Sequence, residues 1–252
     1  MKKDFTPEDE LLFLALGGSG EIGMNVNLYG CRGRWLMVDL GMSFSGGEYP
    51  GVDLVFADLE FIEDRAAPRQ SARADLYACE GCEAATEREP RTLGAHGRIA
   101  ALDEPGERLV LSGRVYAAGE RTPAANIVIY AHQTDATGIY RGALDTDSAS
   151  ARNGVLKAWV RTDADGRYSF ETIKPAPYPG GTMPAHIHLY VWEPGRQPYY
   201  IDDVVFTDDP LVDANYRSRQ ELRGGSGIVT LTRAPDGTLR ATRDIVLERH
   251  PG

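Results

Sequence analysis

Two histidines one residue apart, His186 and His188, are the part of this sequence best suited to chemistry. They open the run His186–Trp192, which reads as a β-strand, so successive side chains point to opposite faces. Ile187, Leu189 and Val191 then form an aliphatic face, and His186, His188, Tyr190 and Trp192 form the other. Two imidazoles on one face can grip a single metal ion; the alternative is a pair of ordinary histidines on a polar sheet face. Two tyrosines stand upstream in settings that fix the backbone. Tyr178 lies among Pro175, Pro177 and Pro179, and Tyr140 ends the turn Asp135-Ala136-Thr137-Gly138-Ile139. Either tyrosine taken singly is ordinarily a packing residue. His132 can face the same region, and its simpler reading is a structural histidine with its hydrogen bonds satisfied.

The elements that carry these residues read as short strands separated by turns. Strands are expected at Arg108–Tyr116, Asn126–His132, Leu156–Arg161, Tyr168–Thr172, His186–Trp192 and Asp244–Glu248. Asp163-Ala164-Asp165-Gly166 and Pro235-Asp236-Gly237 mark turns between them. Many short strands with few helical patterns predict a β-sandwich or barrel.

The order of these segments resembles the intradiol ring-cleavage dioxygenases, the family of protocatechuate 3,4-dioxygenase and catechol 1,2-dioxygenase. The resemblance runs through Leu111-Ser112-Gly113-Arg114-Val115, Gly138-Ile139-Tyr140, Arg161–Tyr168, Thr172-Ile173-Lys174-Pro175 and Pro184–His188, and covers most of residues 105–210. It implies a mainly β fold with a β-sandwich core. It also implies a mononuclear, non-haem Fe(III) held by Tyr140, Tyr178, His186 and His188, with Tyr178 and Tyr140 as the catalytic pair. Hard phenolate donors favour ferric over ferrous iron, and only the metal's charge makes them available near neutral pH. The implied substrates are a catechol-type aromatic diol and O2, and the implied product is a cis,cis-muconate-type diacid. Tyr178 would give way to the substrate while Tyr140 stays bound.

Two positions depart from the family. Met183 stands where an arginine commonly precedes the first histidine by three residues, and Ile201-Asp202-Asp203-Val204 stands where a glutamine is usual. Acidic residues beside a catecholate would repel it unless neutralised. These departures keep open an alternative, a noncatalytic or divergent metal-binding β-sandwich module.

Residues 1–67 have another character. They hold 12 acidic and 5 basic side chains, a net of −7 out of the −10 of the 252-residue chain. Leu11–Leu16 reads as a buried strand, Met24, Val26 and Leu28 alternate with polar residues, and Trp35–Leu40 reads as a third strand. Leu54–Arg65 reads as a short helix or irregular. Gly18-Ser19-Gly20-Glu21-Ile22-Gly23, with Asp39 beyond it, fits the dinucleotide fingerprint. That fingerprint requires a helix opening at the glycines, and the period-two pattern that follows argues against one. Leu14–Asn25 and Trp35–Gly41 instead resemble the start of ribonuclease J, a metallo-β-lactamase fold that uses two zinc ions. The family's H-x-H-x-D-H motif is missing: after His186-Ile187-His188 come Leu189-Tyr190. Ribonuclease activity is therefore not expected, and the chain reads as a fusion, a recombination product or a faulty gene model.

The expected organisation is a ribonuclease J-like fragment over 1–67, a lead-in over 68–104 holding Cys79 and Cys82, and the dioxygenase-like sandwich over 105–252. Cys79 and Cys82 read as a local disulfide, as in an exported relative, more readily than as zinc ligands, since a structural zinc normally needs four. The acidic residues Asp202, Asp203, Asp208 and Asp209 lack EF-hand spacing and read as a solvated loop rather than a calcium site. Arg223-Gly224-Gly225-Ser226-Gly227 reads as a flexible turn rather than a phosphate loop. The excess of acid argues against nucleic acid and anionic membranes as partners. No signal peptide is visible, which points to the cytoplasm, with export left open if the true N-terminus differs. A homo-oligomer is also left open.

Overall fold

The computed structural model describes residues 12–17, 25–31, 34–38, 41–44, 54–56, 72–79, 81–87, 89–119, 122–142 and 148–251. The chain divides into two compact units, Met1–Ala67 and Pro68–Gly252. The glycine fingerprint at Gly18–Gly23, with Asp39, and the junction around Ala66–Gln70 lie outside the described residues.

In the first unit, β1 (Leu12–Gly17), β2 (Val26–Cys31) and β3 (Arg34–Val38) form an antiparallel sheet in chain order, and β4 (Met42–Phe44) pairs with β5 (Leu54–Phe56). Val26 and Leu28 are buried, as their alternation predicts. The strand expected to be buried at Leu11–Leu16 is present but not buried: Phe13 is 57% exposed, and Leu12 and Leu14 are only half-buried. An antiparallel sheet can leave one face to solvent, and Phe13, Leu36 and Val38 are exposed on one face of this one. Leu54–Phe56 is a strand rather than the start of a helix.

The second unit is a β-sandwich. One sheet runs β14 (Thr232–Arg233), β15 (Leu239–Thr242), β7 (Arg108–Tyr116), β10 (Arg167–Ile173) and β6 (His96–Arg98), with β16 (Ile245–Val246) also on β7. The other runs β13 (Ile228–Val229), β12 (Tyr199–Phe206), β11 (His186–Trp192), β8 (Val128–Gln133) and β9 (Lys157–Arg161). Leu109, Leu111 and Phe170 from the first sheet pack with Ile129, Ile187, Leu189 and Val191 from the second. The aliphatic face of β11 thus supplies the core, as its alternation predicts. Its opposite face is not solvated along its whole length. Tyr190 and Trp192 join Val128 and Tyr130 under two short helices, α1 (Cys82–Thr86) and α2 (Ala149–Arg152). The strand β8 is therefore buried on both faces.

The stretch expected as a lead-in contributes to this sandwich. Leu76, Ile99 and Ala100 are core residues, and β6 pairs in parallel with β10. Cys79 and Cys82 form a disulfide, which excludes them as zinc ligands in this state. Among the described residues no helix is long and apolar enough to cross a membrane.

Candidate metal centre

Four side chains from three segments meet at the open end of β11. His186 and His188 lie two residues apart on one face of that strand, and His188 pairs in register with His132 of β8. Tyr140 and Tyr178 arrive on two loops stitched to each other. The Ala176 N–H donates to the Asp135 carbonyl at 3.1 Å, and the Thr134 hydroxyl donates to the Ala176 carbonyl at 2.8 Å. The Asp135 carboxylate accepts from the backbone N–H groups of Thr137 and Ile139 and from the Thr137 hydroxyl, which closes the turn before Tyr140. Gly138 permits the close approach: its φ is +83°, and an added Cβ would stand 2.0 Å from the Pro177 carbonyl oxygen.

The donor atoms form a closed ring. The two tyrosine hydroxyl oxygens are 2.9 Å apart, Tyr178 Oη is 3.1 Å from His186 Nε2, the two Nε2 atoms are 3.1 Å apart, and His188 Nε2 is 3.0 Å from Tyr140 Oη. The other nitrogen of each imidazole fixes its proton. His186 Nδ1 donates to the Pro184 carbonyl at 2.7 Å, and His188 Nδ1 faces the Asp203 carboxylate at 3.0 Å. With both Nδ1 atoms donating, a neutral ring presents a bare lone pair at each Nε2.

Proton counting tests whether a cation suits this ring. Two phenol protons can serve only two of the four contacts, so two contacts bring lone pairs together with no proton between them. Burial and the neighbouring Tyr178 hydroxyl raise the Tyr140 phenol above its ordinary pKa. Burial and His188 lower the His186 pKa, which keeps that imidazole neutral. A central cation resolves the conflict, because all four donors then face positive charge. The centre of a four-membered ring with such edges lies about 2 Å from each atom, the length of a metal bond to nitrogen or oxygen. The residues fit a metal ion, and two phenolates with two imidazoles favour a hard trivalent one.

His186, His188 and Asp203 also stand close enough together to suggest a three-residue metal site. The Asp203 oxygen engages Nδ1 of His188, on the side of the ring away from the tyrosines. Asp203 therefore acts on His188 as an outer partner, and the tyrosine-histidine ring is the better cradle. Its aim comes from a β-bulge. Between the pairs Ile187–Val204 and Leu189–Ile201 the β12 strand carries one extra residue, at Asp202-Asp203. Asp202 accepts the Leu222 and Arg223 backbone N–H groups, while Asp203 reaches His188. Neither carboxylate is the free repulsive charge expected from sequence. Asp208 pairs with Lys174, and Asp209 accepts from the Ala185 N–H, so the four aspartates share no calcium site.

Two residues here escaped sequence reasoning. Asp203 was legible only as an acid in a suspect place, because the paired aspartates break the apolar pattern of β12. His132 is buried and stacks on His188 with ring centroids 4.5 Å apart. It is not the satisfied histidine expected, since neither ring nitrogen has a hydrogen-bond partner. Burial, then His188, holds its pKa well below the usual range.

Known proteins bear on this geometry. A family model described as dioxygenase matches residues 91–248. The chain belongs to the intradiol ring-cleavage dioxygenases. It is similar to the protocatechuate 3,4-dioxygenase beta chain of Burkholderia cepacia, at 35% identity over 113 residues, covering 42% of this chain and 48% of that one. A solved structure of a catechol 1,2 dioxygenase variant from Acinetobacter radioresistens shares the fold, at TM-score 0.51 and 18% identity, covering 65% of this chain and 59% of that one. The front of the chain is similar to ribonuclease J of Sinorhizobium meliloti, at 50% identity over 66 residues, 25% of this chain and 12% of that protein. The chain thus spans about half the length of that dioxygenase beta chain and about a tenth of that ribonuclease J.

Proposed function

We propose that this dioxygenase acts on a catechol-type diol, with Tyr140, Tyr178, His186 and His188 holding a mononuclear non-haem Fe(III). The single observation carrying the proposal is the closed ring of two phenol oxygens and two Nε2 atoms, in which protons cannot satisfy all four contacts. The names of the relatives support the substrate class. Bound ferric iron would make a coordinated catechol reactive toward O2, with cleavage between the two hydroxylated carbons giving a cis,cis-muconate-type diacid.

The chain's residues divide the remaining work. Tyr178, on its proline-fixed loop, would give way to the diol, as the family resemblance implies, and its oxygen would be placed to take up a diol proton. Tyr140 would stay, held by the Asp135 turn and the Gly138 contact. His186 and His188 keep their lone pairs aimed inward because Pro184 and Asp203 hold their other nitrogens. The apolar cluster beyond Tyr190 limits water on that side of the histidines.

The noncatalytic alternative rested on Met183 and the acidic pair; with Asp203 engaged by His188, only Met183 still favours it. Ribonuclease J-like chemistry is not proposed for the front unit, whose similarity covers 12% of that relative. The two groups of relatives match separate parts of the chain, which supports reading it as a fusion. Oxygen uptake by iron-loaded protein should accompany loss of catechol or hydroxyquinol and appearance of a diacid, one O2 per ring. Failure to consume O2 with any diol of such a panel would overturn the proposal.

A further inference from the structure

The two histidines of the ring are not held alike. His186 is buried, its Nδ1 donates to a carbonyl two residues away, and the Tyr178 ring meets it edge-on at 5.1 Å. The His188 side chain is 24% exposed, and its Nδ1 partner, Asp203, stands on the bulge of β12. The second torsion of a histidine has a broad profile, so one hydrogen bond at Nδ1 leaves the plane of the imidazole free to tilt. The further restraint on that plane is His132. Cross-strand pairing sets it opposite His188, and the two rings stack at 4.5 Å with their planes 29° apart. His186 meets His188 nearly at a right angle, 81°, so the flat support comes from His132. Tyr140 also lies against His132, with ring centroids 5.7 Å apart, so one side chain backs two donors that arrive on different segments. His132 is itself fixed, being buried and packed against Tyr130 and Tyr190 at 5.5 and 5.9 Å. Its nitrogens take no part in this, since neither has a hydrogen-bond partner.

We infer that His132 is a positioning residue whose flat ring, rather than its nitrogens, sets the plane of His188 and hence the aim of its Nε2 lone pair. The inference rests on the proposed iron site. A planar side chain of similar size can replace His132 in this role, whereas a flexible one of similar bulk cannot. Removing the flat support should weaken iron binding by about tenfold, the scale at which outer partners of a metal-binding imidazole act. It should also displace the visible band that phenolate coordination gives, because tilting one donor changes the field at the ion.

His132→Leu, His132→Gln and His132→Phe in the full chain separate the ring from its nitrogens and from its polarity. Thermal unfolding checks that each variant folds, competition with a chelator reads ferric iron affinity, and the visible spectrum reads the band. The Leu and Gln variants, one apolar and one polar, should both bind iron about tenfold more weakly and show a displaced band. His132→Phe should bind iron as the parent does, with its band in place. Ringless variants that match the parent in affinity and band would overturn the inference while leaving the iron reading intact. A Phe variant as impaired as the Leu variant would overturn it too, by giving the role to the nitrogens. If neither ringless variant folds, His132→Phe decides: parental affinity and band sustain the inference, and weakened binding overturns it. An unaltered protein that forms no coloured ferric complex would remove both readings together.

Discussion

At one end of the outer face of β11, His186 and His188 turn ring nitrogens toward each other and toward two phenol oxygens. At the other end, Tyr190 and Trp192 lie beneath residues of two short helices. The strand, face and alternation are the same; what covers the face differs. Around the histidines the covering segments are loops that bring polar atoms to about 3 Å, and their contacts are left short of protons. Around Trp192 the cover is Cys82, Ala84, Ala85 and Ala149, and the cluster is apolar. On the proposed reading, one end of the face is left for a cation to complete, while the other is already packed. His132 sits at the border, stacked on His188 and 5.9 Å from the Tyr190 ring, with polar atoms that neither end satisfies.

Substitutions at the two ends should separate binding from stability. His188→Ala should abolish stoichiometric iron binding, measured by metal analysis after loading, while the thermal transition of the metal-free protein moves little. Trp192→Ala should do the reverse. Deleting that buried indole should cost about 3–5 kcal/mol in chemical denaturation, with the iron site still formed in the folded fraction. If Trp192→Ala removed iron from folded protein, the two ends would not be independent.

Gly138→Ala should have an intermediate effect. The new Cβ cannot remain 2.0 Å from the Pro177 carbonyl, and a left-handed backbone costs a non-glycine residue about 1–2 kcal/mol. The loops carrying Tyr140 and Tyr178 should move apart, weakening iron binding by about tenfold or more. Iron titration of the variant reads this, and unchanged affinity would show that the loop contact does not position the tyrosines.

The smallest effect should come from His132→Phe. Replacing a ring with two unpartnered nitrogens by an apolar ring should stabilise the fold by about 1 kcal/mol near neutral pH. The sign of its pH dependence follows from the lowered pKa. The folded protein resists protonating His132, so this contribution is present above the unfolded value near 6.5 and is lost as pH falls below it. The variant should therefore lose less stability than the parent between about pH 6.5 and pH 5. Equal acid sensitivity in both proteins would contradict that account of His132.

Much of this centre was legible because β11 is a regular strand. Alternation alone assigns Ile187, Leu189 and Val191 to the core and aims both histidines the same way. The tyrosines became legible through their family motifs, since a turn and a proline run say little about where a loop lands. The bulge at Asp202-Asp203 was not legible. It depends on how β12 registers against β11, and the two acids disguise a strand whose remaining residues are largely apolar and buried. The core roles of Leu76, Ile99 and Ala100 were hidden for a similar reason, because they precede the patterned strands and are placed by tertiary packing. In the front unit the strand pattern was clear, but an apolar run such as Leu12–Leu14 does not reveal that only one face of its sheet is covered.

The most direct test of the central claim is the visible spectrum of the iron-loaded protein. Phenolate coordination by Tyr140 and Tyr178 predicts a purple-red protein with a charge-transfer band that changes when catechol is added without oxygen and shifts in Tyr140→Phe. A protein that binds one iron yet stays colourless, or whose colour is untouched by Tyr140→Phe, would contradict the account.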